Sequence, residues 1–335
     1  MIDYRIERWE GCKAYHVAGM RMDEVDPACP MLKFIAEALH LDEEQKFWLA
    51  WLYSTCYSAP TAFYMITHLP RPEFIAPSKM AAWWFAHKSK LIFENDRCYV
   101  KNRDEFPKMF ESYCAYTRGG QLKTFLNLRR NSRQKTYEEI YSDVVKNLYY
   151  FSRYSVFMYL ETIYNLTKFP MTPTGLNLRE ARTSRNGLCY ALGKDDWVRK
   201  KGAATKLSSE QFLWLQTQLK KLYRELVTKY PDVPTTYWNL ETSLCAYYKL
   251  FRATRYVGYY IDRQMLEIEK MEKLAPDGAD WNLLWKFRRE HFHTSALGEV
   301  QGWHGIRKNL LNYFLDTGQF APCEMRSKDY ARQTV

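Results

Sequence analysis

Histidine is scarce in this chain, with 7 among 335 residues, and the eight cysteines (12, 29, 56, 98, 114, 189, 245 and 323) never pair as CxxC. No Ser/His/Asp order stands out either, so neither a cysteine-pair centre nor a hydrolase triad is signalled. The absence of G-x-x-x-x-G-K-[ST] excludes a P-loop, and that of G-x-G-x-x-G removes the dinucleotide fingerprint. No apolar run approaches the roughly 18–20 residues of a membrane span. The opening MIDYRIERWEG lacks the apolar stretch of a signal peptide. Scattered thiols in helical apolar patterns, as in WLYSTCYS and ETSLCAYY, suit reduced cysteines in a cytoplasm. There is no βαβ alternation, internal repeat, low-complexity tract or dividing linker.

What is present is positive charge and aromatic rings. Lysine and arginine outnumber the acids 49 to 38, for a net charge of +11. That balance favours a polyanionic partner: nucleic acid, an anionic membrane or a phosphorylated substrate. The 26 Tyr, 11 Trp and 18 Phe include many tyrosines beside charge, where rings serve grooves as well as cores. At 47% hydrophobic and 26% charged, the chain can bury a real core.

The patterning is helical nearly throughout. DEEQKFWLAWLYSTCYS (42–58) opens with acids in its first turn. Pro60 and Pro77–Ser78 start the next two helices, and DEFPKMFESYCAYTR ends at Gly119–Gly120. Thr136 to Glu139 reads as a capping box opening a helix to about 151, and YSVFMYLETIYNL is apolar all round, so it belongs at the core. Over 208–230, Phe212, Leu215, Leu219, Leu222 and Leu226 form one stripe, capped by Ser208 and Gln211. Further helices are expected over 235–252, 259–274, 281–292 and 302–315. LIFENDRCYVKN (91–102) reads as a short hairpin. The fold class is therefore mainly α: a single multi-helix domain over 1–335, with at most a small β-hairpin. Any internal division separates a subdomain 1–130 from a core 131–320. The one long irregular segment, 168–207, is laid across the surface or site.

That segment contains GLNLREARTSRNGLCYALGKDDWVRKKG, dense in arginine and lysine. Asn186-Gly187 is a turn signal, and converging amides beside Arg182 and Arg185 suit a phosphate or pyrophosphate. A solvated basic loop is the competing reading. A second basic patch, Lys123, Arg129, Arg130 and Arg133, suits DNA backbone contact, although a helix C-terminus attracts such charges by its dipole alone. Further on, Glu241, Cys245, Tyr248 and Arg252 share one helix face, beside the more apolar Leu240, Leu244, Tyr247 and Phe251. An antiparallel helix after Gly258 brings Asp262 toward Glu241, rimmed by Arg252, Arg255 and Arg263. Such acids among arginines form a structural ion network or a catalytic site. Tyr256, Tyr259, Tyr260 and Trp238 supply rings that can stack on an unpaired base.

LYSTCYSAPTAFYM (52–65), SRNGLCYALGKDDW (184–197) and WNLETSLCAYYKLFRATRYVGYYIDRQ (238–264) resemble the phage amino acid:DNA transferases, related to the α-glutamyl/putrescinyl-thymine pyrophosphorylases. The resemblance spans roughly 45–315. It implies hypermodification of thymidine in double-stranded DNA, in the cytoplasm of an infected bacterium. An upstream base kinase pyrophosphorylates 5-hydroxymethyluracil, and the transferase displaces pyrophosphate with an amino acid or polyamine. The roles implied are Asp262 or Glu241 as base, Arg182 and Arg185 with Asn186 on the pyrophosphate, and Arg263 or Arg255 on the amino-acid carboxylate or a phosphate. The tyrosines and Trp238 would hold the flipped base. No cofactor is firmly implied. Mg²⁺ at Asp195 and Asp196 competes with a plain capping role for those acids, and the capping role is favoured. A covalent adduct would implicate Cys189 or Cys245, against packed thiols. Two rival classes are a non-catalytic DNA-binding accessory and a helical di-iron oxygenase built on Glu37-x-x-His40 and Glu290-x-x-His293.

Overall fold

The computed structural model describes residues 4–21, 23–93, 103–198, 207–251 and 259–291. It is all helix and loop there, with no strand among the described residues. The helices are α1 (Tyr4–Arg21), α2 (Ala28–Ala38), α3 (Glu43–Cys56), α4 (Ala59–His68), α5 (Pro77–His87), α6 (Phe106–Tyr116) and α7 (Gln121–Asn127). They continue as α8 (Arg133–Asn147), α9 (Arg153–Thr167), α10 (Arg182–Ala191), α11 (Ser209–Lys229), α12 (Tyr237–Phe251), α13 (Tyr259–Leu274) and α14 (Trp281–His291). Beyond Ile92 and Phe93, the expected hairpin lies outside the described residues, as does the expected helix over 302–315.

The chain divides into two compact units, each assembled from separate segments. One holds 1–27, 173–262 and 291–335; the other holds 28–172 and 263–290.

The second unit has an aromatic core. α3 lies along α9, and Phe47, Trp48 and Trp51 on α3 are sealed with Val156, Tyr159, Leu160 and Ile163 on α9. Trp48 stacks on Trp51 at 5.0 Å and Trp51 on Tyr113 at 4.7 Å, and each such buried ring contributes roughly 1.5–3 kcal/mol. The helix starts are chemically specified. Asp42 and Gln45 form a capping box on α3, Ser58 caps α4 ahead of Pro60, and Pro77 sits in the first turn of α5. The expected cap at Thr136 is displaced: α8 starts at Arg133 with Ser132 as its cap. Thr136 is buried and gives its hydroxyl to the Ser132 carbonyl at 2.8 Å. Ser132 offers the same capping chemistry one turn earlier, in an extended backbone that Thr136 does not have.

The first unit is built on α1, α10, α11 and α12. α11 buries the five apolar residues of the predicted stripe and carries the predicted Ser208–Gln211 capping box. α1 was not evident from patterning, because its inward face carries polar residues. Lys13 reaches Glu225 of α11 at 2.7 Å, and Trp9 donates to the same carboxylate at 2.9 Å. His16 is buried, with Nδ1 2.8 Å from the Ser243 hydroxyl and Nε2 3.0 Å from that of Thr235. Burial lowers this imidazole to about 4, so it stays neutral at physiological pH.

α10 falls inside the segment expected to be irregular. Asn186-Gly187 is not a turn there but the buried middle of a helix. Asparagine and glycine are poor helix formers, and about 1 kcal/mol is forfeited at the glycine alone. Tertiary packing overrides that cost, because a Cβ on Gly187 would stand 2.0 Å from the carbonyl oxygen of Leu244 on α12. The glycine is there so that two helix backbones can touch.

Two outcomes follow. Gly187→Ala cannot be accommodated by a side-chain shift, since the obstacle is backbone; the variant should lose about 3 kcal/mol or more in urea denaturation, or fail to fold. His16 takes up a proton more readily in the unfolded chain, so its contribution is complete above the unfolded value near 6.5 and is lost as pH falls toward about 4. Stability should therefore fall across that window by up to about 1.4 kcal/mol per pH unit, a slope missing from His16→Gln.

Candidate active site

α10 and α12 run parallel in register. Ser184 donates to Glu241 Oε1 at 2.6 Å across 57 residues of sequence. Gly187 meets Leu244. The Tyr190 ring packs on Tyr247 and Tyr248, with centroids 6.1 and 6.2 Å apart. Each contact lies about one turn beyond the last on both helices, which only a parallel pair permits.

The face division expected for α12 is present. Leu240, Leu244 and Tyr247 are sealed at 1%, 0% and 2% exposure, while Glu241, Cys245 and Tyr248 each keep 7–9%. The second set, a carboxylate, a thiol and a phenol, forms a slightly less buried strip along one helix edge. Among the described residues, the hydrogen-bond partner of Glu241 is Ser184.

α1 and the first turn of α13 complete the surroundings. Burial first, then the charges of Glu24, Tyr260, Cys245 and Cys12, push the Tyr15 hydroxyl well above its usual range. Tyr15 therefore lies within electrostatic reach of both the α12 strip and Tyr260. Tyr259 and Tyr260 pack edge to face at 5.3 Å and are half-buried. Asp262 is buried in the same turn, but it is not hydrogen-bonded to Glu241. On the other side of Tyr190, Arg8 of α1 lies 4.2 Å over its ring and pairs with Asp195 at 2.8 Å.

Several expected roles change. Arg185 is fully buried, and its Nη1 donates to the carbonyls of Leu178 and Arg179 at 2.8 and 2.9 Å. It pins the preceding loop rather than presenting a cation to solvent. Asn186 is buried beside it, and its amide belongs to a helix, so no cradle of converging amides forms. Arg182 is exposed at the start of α10. Trp238 is 1% exposed and belongs to the core, not to an open stacking platform. Asp195 makes no side-chain cap, being engaged by Arg8. Burial pushes the Cys189 thiol up to about 12, as expected of a packed thiol and unlike a nucleophile. Cys245 is the cysteine on the strip. Arg263 reaches Glu267 at 3.4 Å along its own helix. Lys123, Arg129, Arg130 and Arg133 are exposed at the α7–α8 junction in the other unit, with Arg130 paired to Glu139 at 2.7 Å. Arg252, Arg255 and Tyr256 lie outside the described residues.

Among the described residues, the ExxH motifs do not assemble an iron site. Glu37 pairs with Lys33 on its own helix, His40 and Glu290 are exposed, and His293 is outside the described residues.

Sequence reasoning missed Ser184, Tyr190 and Tyr15. Ser184 sits three residues before Gly187, a spacing that signals a helix face only once the glycine is known to be helical.

The model of the amino acid:DNA transferase family matches residues 24–256, which include α10, α12 and the strip between them. The chain belongs to the amino acid:DNA transferase family. It is a transferase with an amino acid and DNA as its substrates. A protein named serinyltransferase from Salmonella phage ViI is 25% identical over 297 residues, covering 82% of this chain and 71% of the relative. No solved structure matches. Among the described residues, no helix is long and apolar enough to cross a membrane.

For this transferase, Arg185→Ala should be felt first as lost stability. Freeing two buried carbonyls from a charged donor should cost about 2–4 kcal/mol in denaturant titration, whereas Arg182→Ala at the surface should stay within about 0.5 kcal/mol.

Proposed function

We propose that this transferase joins the amine of an amino acid to the 5-methylene of a modified uracil in DNA, displacing pyrophosphate. The substrate base is 5-pyrophosphoryloxymethyl-uracil, made from 5-hydroxymethyluracil by an upstream DNA base kinase in the infected cell's cytoplasm. The name of the phage ViI relative makes serine the first donor to test. The observation that carries the reading is Glu241: a carboxylate on the rim of a buried helix pair, held at one oxygen and with a sliver of exposure.

In this reaction the amine nitrogen forms a bond to the methylene carbon as the carbon–oxygen bond breaks, and pyrophosphate leaves with that electron pair. The nitrogen must shed a proton, which Glu241 accepts. The base must leave the stack for its methylene to be reached. Tyr259 and Tyr260 provide rings at the start of α13, and Tyr248 provides one on the strip itself. Arg182 is the exposed cation of the α10 start available to the leaving group. Asp262, buried in the first turn of α13, supports the local charge balance. Lys123, Arg129, Arg130 and Arg133 provide sequence-independent phosphate contacts.

The test is nucleoside mass spectrometry of pyrophosphorylated DNA incubated with the protein and a mixture of amino acids and polyamines. A new nucleoside with the mass of a serine adduct is expected; DNA that binds yet stays unchanged with every donor would sink the reading. Glu241→Gln should lower kcat by about 10²–10⁴ while melting within a few degrees of wild type. Lys123→Ala and Arg129→Ala should each reduce the slope of log affinity against log salt by about 1 for any DNA sequence.

A further inference from the structure

We infer that Ser184 is a positioning residue for the transfer reaction, acting through Glu241. This rests on Glu241 being the base. Ser184 is fully buried, and among the described residues its hydroxyl has one acceptor, Glu241 Oε1, at 2.6 Å. That length is typical of an O–H donating to a charged carboxylate. A glutamate on a helix has a flexible side chain, and without a partner its two oxygens are interchangeable. Occupying Oε1 selects Oε2 as the oxygen that faces the amine.

The fold gives this bond its accuracy. Ser184 stands three residues before Gly187, whose backbone rests on the Leu244 carbonyl, and Glu241 stands three residues before Leu244. The donor and the acceptor are thus set by a backbone-to-backbone contact less than one turn away. During turnover the Ser184 proton stays on its oxygen; the amine proton goes to Glu241 as the carbon–nitrogen bond forms and pyrophosphate departs.

A purely structural serine would only hold two helices together, and a split between kcat and KM, with rescue by a retained hydroxyl, separates the two roles. The full chain is assayed with pyrophosphorylated DNA and serine, beside thermal melts of every variant. Ser184→Ala should lower kcat roughly 10-fold, with KM for DNA unchanged. Ser184→Thr, which keeps the hydroxyl, should restore most of the wild-type kcat. In a Glu241→Gln background, Ser184→Ala should add no further loss. A Ser184→Ala enzyme that melts lower but keeps the wild-type kcat overturns the inference, as does an equal loss in the Glu241→Gln background. Wild-type protein that forms no new nucleoside overturns the transfer reading itself, and the role of Ser184 with it.

Discussion

The contact between Gly187 and the Leu244 carbonyl sets the geometry of everything around it. Two helices normally meet through side chains, with axes 8–10 Å apart. Here a missing Cβ lets one backbone rest on the other. The parallel register that results puts Ser184 within hydrogen-bond reach of Glu241 and seats Tyr190 against Tyr247 and Tyr248. It also explains how a poor helix-forming sequence is helical at all, since the packing gained offsets the propensity lost. α1 then closes the pair through polar contacts: the Tyr247 hydroxyl donates to the Arg8 carbonyl at 2.8 Å, and His16 sits between Ser243 and Thr235.

The two units bury different chemistry. One is filled by rings, with Trp48, Trp51, Tyr113, Trp84 and Phe106 in stacked or edge contacts. The other buries Arg185, Asn186, Ser184, Glu241, His16 and Ser243 close to the same helix pair. Buried polar groups are costly unless satisfied, and a satisfied network is rigid. Rigidity suits a transfer reaction, whose reacting groups must be held within about 0.5 Å. The family-matched residues include all of that network but His16.

Much of this was legible in the sequence. The resemblance pointed to amino acid:DNA transferases, and the family match agrees. The stripe and capping box of α11, the starts of α3, α4 and α5, and the two faces of α12 appear as patterning implied. These features are local: a cap or an i, i+3, i+4 stripe needs only its own helix to be recognised. The misreadings share the opposite property. Asn186-Gly187 looked like a turn because its reason for being helical lies 57 residues away, where Leu244 stands in the same register that joins Ser184 to Glu241. Arg185 looked like an anion ligand because charge is visible in a sequence and burial is not.

By itself, then, the sequence determined the helical class, most helix limits and the family to which the chain belongs. Only the tertiary structure decided which charges are exposed and which are spent on backbone carbonyls, and which hydroxyl meets the Glu241 carboxylate. The physical reason is that a side chain's role depends on what desolvates it and what pairs with it. Both are set here by contacts between segments far apart in the chain.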